Sequence, residues 1–109
     1  MSLKRIEREI LKFRDQRDWA QFHTHKDVAL SLLIEASEYA QLIQFKSPKQ
    51  IEQIKRTELS HELADVLYWL VLAAQQHGIN LEKAFAAKMR INRRKYPIKK
   101  FKGSNKKYR

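Results

Sequence analysis

The chain has 109 residues, no cysteine, two glycines and two prolines, and 32% of its residues are charged. That length holds one domain, and the missing thiols exclude disulfides and thiolate metal sites, so any metal must be held by oxygen or imidazole. The net charge of +11 is uneven, since 12 of the 23 Lys/Arg and none of the 12 Asp/Glu fall after residue 82. The basic C-terminal quarter therefore points to a polyanionic partner, whether nucleic acid, nucleotide phosphates or an anionic surface.

Apolar residues recur at helical spacing throughout, so an all-α fold is expected. Ser2 caps a first helix whose Leu3, Ile6, Ile10 and Phe13 share one stripe. Residues 15–23 break that pattern and gather Trp19, Phe22 and His23. Thr24-x-x-Asp27 starts a second helix that runs to about Phe45. Ser47-Pro48 marks a break, with the proline suited to the first position of a new turn. A third helix carries Leu59, Leu63, Val66, Leu67 and Leu70 and stops at Gly78. Asn80 caps a fourth helix over about residues 81–95, which must end before Pro97. From Ile98 the chain is basic and without periodicity.

Four helices with short connections predict an antiparallel four-helix bundle over residues 1–109, with 98–109 as a basic tail. A core of this size has little margin, so a homo-oligomer, dimer or tetramer, is expected. The longest apolar run, residues 66–74, is too short for a bilayer span, which needs about 20 residues. The N-terminus lacks a signal-peptide core, so a cytoplasmic protein with no membrane partner is expected.

The chemistry lies in the acids of the second and third helices. Glu35 and Glu38 are neighbours on one face, and Glu35 interrupts the apolar stripe Val28, Leu32, Tyr39, Leu42. Glu58, Glu62 and Asp65 line up on the third helix, with Trp69 and Leu72 continuing their line. A carboxylate set against an apolar face is unfavourable unless its charge is compensated. Two such pairs on adjacent helices would place four carboxylates around one point, and their repulsion asks for a divalent cation. Mg²⁺ suits hard oxygen ligands and keeps waters for phosphates, with Mn²⁺ as a substitute. Trp19 and Trp69, taken alone, also fit ordinary core positions. His25, His61 and His77 have no metal-ligand spacing among themselves.

At these residues the sequence resembles the MazG-like all-alpha NTP pyrophosphatases and, within them, the dCTP pyrophosphatase branch. The resemblance runs from RDWAQFH (17–23), through Glu35-x-x-Glu38 and Gln44-Phe45, to ELADVLYWL (62–70). It continues through KMRINRRKYP (88–97) and KGSNKKY (102–108). It implies a Mg²⁺-dependent hydrolase that converts an NTP or dNTP to the monophosphate and pyrophosphate, clearing unwanted nucleotides from the pool. The family's metal ligands match Glu35, Glu38, Glu62 and Asp65, with Glu38 or Glu35 orienting the attacking water. Its phosphate contacts match Lys88, Asn92, Tyr96, Lys107 and Tyr108, and its base-holding groups Trp19, His23, Phe45 and Trp69. Ile34 and His61 stand where the wider family often has further glutamates. Phe45 replaces a tryptophan of close relatives, and an apolar residue, assigned to Ile10, replaces a first-helix histidine.

Two competing readings differ in class. A non-enzymatic helical nucleic-acid binder would use the basic quarter, which explains the charge but not the acids on apolar faces. A helical interaction module would dimerise through its apolar faces and use the acids as salt-bridge partners. Nucleic acid is therefore not the expected partner; a nucleoside triphosphate is.

Overall fold

The computed structural model describes residues 1–107, and every regular element among them is helical. Tyr108, one of the expected phosphate contacts, lies outside the described residues. Contacts divide the chain into a unit of Met1–Gly78 and a second unit that begins at Ile79.

In the first unit α1 spans Leu3–Gln16, followed by a 3₁₀ turn at Ala20–Phe22. Next come α2 (His25–Ile43), α3 (Pro48–Glu52) and α4 (Arg56–Gln76). The helix starts follow from side chains that satisfy otherwise unpaired amides. Ser2 accepts from Arg5 N at 3.2 Å, and Thr24 accepts from Asp27 N at 3.1 Å. Ser47 and Gln50 form a reciprocal capping box with Pro48 in the first turn, which makes α3 a helix of its own. The second helix closes at Ile43, two residues short of the expected end. Phe45 there has φ +62°, a left-handed conformation that cannot continue a right-handed helix. Gly78, at φ +67°, ends the unit just past α4.

The long helix α4 organises the packing, with α2 as its main partner and α1 next. The start of α2 meets the end of α4. Gln76 Nε2 donates to the His23 carbonyl at 2.8 Å, and the His25 and His77 rings are 4.8 Å apart. Further along, Glu35 reaches Glu62 and Asp65, so α2 and α4 run antiparallel. Among the described residues the buried apolar side chains are few: Ile10, Val28, Val71, Leu72 and Ala74. Leu72 is 0% and Val28 1% exposed, which marks the α2–α4 seam as the centre of this core.

In the second unit α5 spans Leu81–Lys95, capped by Asn80, whose side chain accepts from Lys83 N at 3.1 Å. The basic stretch after it is not wholly irregular. Ile98–Phe101 forms a short helix, α6, opened by Pro97, and the Phe101 ring meets Tyr96 edge-on at 4.9 Å. A four-residue turn is too short to leave a periodic signal among lysines. Among the described residues no helix is long and apolar enough to cross a membrane.

Candidate active site

The helical register of α2 and α4 brings acids from both helices together. Glu35, Glu62 and Asp65 each offer a carboxylate oxygen, and these oxygens lie within 4.8 Å of one another. Glu35 and Glu62 are half-buried, because each sits at the margin of its helix's apolar stripe, while Asp65 is exposed. Glu35 Oε2 and Glu62 Oε2 are shielded from solvent and have no hydrogen-bond partner. Burial first, then the Glu38 carboxylate as hydrogen-bond partner and like charge, then Asp65 and Glu62, push Glu35 up to about 7. Glu62 is also raised, by burial and then by the charges of Glu38 and Asp65, with His61 opposing the shift. Glu38 is thus a neighbour of the cluster that acts on two of its members, although its oxygen is not among the three that converge.

A cation fits this arrangement. Three oxygens on two rigid helices, two of them with orphaned atoms, form a hard donor set suited to Mg²⁺ or Mn²⁺. The carboxylates repel one another without a cation, and a bound one would satisfy the stranded oxygens.

Asp65 also lines an open cleft of about 420 Å³ in the same unit. Its walls come from α1 and α4: Ile6, Ile10, Phe13, Tyr68 and Trp69, with Trp19 from the segment after α1 and Glu9 alongside. The aromatic rings meet edge to face. Phe13 lies 5.7 Å from Trp19 and 6.2 Å from Tyr68, and Tyr68 lies 5.1 Å from Trp69. The Arg17 guanidinium stands 3.7 Å over the Phe13 ring. Burial raises Tyr68, against the opposing charges of Arg14 and Arg17, which keeps its hydroxyl protonated.

Of the expected base-holding residues, Trp19 and Trp69 line this cleft. His23 does not line it, but its ring lies 5.3 Å from Trp69 and edge-on, with Nδ1 shielded and unpartnered. Burial and then Arg14 lower His23, favouring the neutral ring. Phe45 is 96% exposed and does not line the cleft. In the second unit Lys88 and Asn92, four residues apart, share one stripe of α5, and Tyr96 is the residue that caps its C-terminus. Glu58 lies outside the acid cluster. Sequence reasoning missed Glu9, Ile6, Ile10, Phe13 and Tyr68 as cleft residues. Ile6, Ile10 and Phe13 follow the apolar stripe of α1 and Tyr68 carries no signal of its own, and the packing of α1 on α4 makes them walls of an open space.

Comparison with known proteins identifies the family. The MazG nucleotide pyrophosphohydrolase domain matches residues 23–97. The curated proteins named dCTP pyrophosphatase 1 from Rattus norvegicus and from Homo sapiens are each 38% identical over 112 residues, covering 98% of this chain. The chain spans 66% of the length of each of those relatives. A solved pyrophosphatase from Archaeoglobus fulgidus superposes with a TM-score of 0.80 at 33% identity, covering 86% of this chain and 91% of that one. The domain match covers both acid-bearing helices and α5, and the all-helical fold is that of a solved pyrophosphatase: the chain belongs to the MazG nucleotide pyrophosphohydrolase family.

Proposed function

We propose that the chain is a Mg²⁺-dependent nucleoside triphosphate pyrophosphohydrolase that cleaves a dNTP to the dNMP and pyrophosphate. The observation that carries this reading is the convergence of Glu35, Glu62 and Asp65 carboxylate oxygens within 4.8 Å, with Asp65 shared by an aromatic cleft. The cleft is large enough for a nucleobase, and its flat ring faces suit stacking. The name of the curated relatives supports dCTP or a near analogue as the substrate.

Glu35, Glu62 and Asp65 hold the cation, and Mn²⁺ substitutes for Mg²⁺. When bound, the metal would supply Lewis acidity toward the triphosphate and offset the negative charge that develops on its oxygens. Glu38, beside the cluster, orients the attacking water and takes its proton. Fixing this acid on the same helix as a ligand holds the water in line at little entropic cost. Trp19 and Trp69 bracket the base, and neutral His23 buttresses Trp69. On motif order alone, Lys88, Asn92, Tyr96, Lys107 and Tyr108 are assigned to the phosphates, where cationic donors match the substrate's charge.

The working form is a homo-oligomer, a dimer or tetramer. On α2, Leu30, Leu33 and Ile34 are 47%, 65% and 54% exposed and adjacent on the helix surface, an apolar patch of the kind a subunit contact covers. The role proposed is removal of unwanted nucleotides in the cytoplasm. A panel of NTPs and dNTPs incubated with Mg²⁺ tests the reading. Turnover of at least one nucleotide is expected, with loss of turnover in Asp65→Asn and Glu38→Gln. No turnover of any nucleotide, or full activity in both variants, would refute it.

A further inference from the structure

The aromatic cleft contains an acid that the proposed reaction does not use. Six of the eight residues lining it are apolar or aromatic, and the other two are Asp65 and Glu9. Asp65 belongs to the acid cluster, which leaves Glu9 as the charged group in the wall of the base pocket. Its placement follows from helical spacing, since Ile6, Glu9, Ile10 and Phe13 fall on one face of α1. Its ion-pair partner is Arg5 at 3.9 Å, with both side chains more than 60% exposed, a loose surface pair that a ligand can displace. A carboxylate accepts hydrogen bonds and donates none, so Glu9 presents one half of a donor–acceptor code to whatever lies in the cleft.

We propose that Glu9 is a base-selecting residue, its carboxylate accepting a hydrogen bond from the exocyclic amino group of the bound nucleobase. This inference rests on the reading of the cleft as the base pocket. A 4-amino pyrimidine offers Glu9 an N–H donor. A 4-oxo pyrimidine places a carbonyl oxygen at the same position, so two acceptors face each other and the carboxylate loses water without gaining a partner. Sites built on a hydrogen bond to a substrate N–H reject the analogue lacking it more strongly than apolar pockets reject a change of size. Glu9 is partly solvated, so water softens that penalty, and a discrimination of about ten- to a hundredfold is expected.

The test compares dCTP with dUTP, which differ at this edge, in the full chain and in Glu9→Gln and Glu9→Ala. The ratio of kcat/KM values is measured with Mg²⁺. In parallel, dCMP and dUMP binding is followed by fluorescence of the cleft tryptophans Trp19 and Trp69 without turnover. The wild type is expected to favour the cytosine nucleotide at least tenfold in both readouts. Glu9→Ala should lose most of that preference by weakening the cytosine ligand. Glu9→Gln, whose amide can donate, should lose it partly by gaining the uracil ligand. A wild-type preference below twofold, or a preference unchanged in both variants, would overturn the proposal. If the wild type turns over no nucleotide, the pyrophosphohydrolase reading fails, while the monophosphate titrations still decide the role of Glu9.

Discussion

Lowering the pH from about 8 to about 6 should weaken Mg²⁺ binding to the acid cluster roughly tenfold, because the metal and a proton compete for Glu35. With Glu35 at about 7, about nine-tenths of the groups are ionised at pH 8 and about one-tenth at pH 6. The apparent affinity scales with that fraction, which gives the tenfold factor, and the raised Glu62 acts in the same direction. The same competition makes metal binding release protons, about one per site at pH 6 and about a tenth of one at pH 8. Isothermal titration of the metal-free protein in buffers of different ionisation enthalpy reads both quantities. Affinity that is flat across this range, or proton release undiminished in Glu35→Gln, would refute the reasoning.

The same shift has a stability consequence in the metal-free protein. Glu35 binds its proton more tightly folded than unfolded, so stability falls as pH rises from about 4.5 to about 7. Comparing melting of wild type and Glu35→Gln isolates this contribution: the variant should gain relative stability across that window and lose the Mg²⁺-dependent rise in Tm. Leu72, fully enclosed at the α2–α4 seam, should cost about 3 kcal/mol when changed to alanine, measured by denaturant unfolding. Trp19→Ala, at a side chain 42% exposed on the cleft, should leave the Tm nearly unchanged and raise KM about tenfold, the scale of one lost aromatic contact.

How much of this could be read from the chain depended on how local each signal was. The caps at Ser2, Thr24 and Asn80 and the stop at Gly78 act within a few residues, and all four stand where the pattern places them. The end of α2 was less legible, because the left-handed turn at Phe45 carries no glycine to announce it. Glu35, Glu62 and Asp65 were legible because each acid breaks or extends an apolar stripe, and burying a charge calls for an explanation. The cleft was not legible. Ile6 and Phe13 follow the core period of α1, and nothing in that period says whether the facing helix fills the space or leaves it open. The His25–His77 contact escaped for a different reason, since the antiparallel pairing of α2 and α4 joins residues far apart in sequence.

The most direct test of the central claim is ³¹P NMR of the products formed from dCTP and Mg²⁺ in ¹⁸O-labelled water. Attack at the α-phosphorus predicts dCMP and pyrophosphate, with the label on dCMP and no products from Asp65→Asn. Inorganic phosphate with dCDP, label in the pyrophosphate, or undiminished turnover by Asp65→Asn would contradict the account.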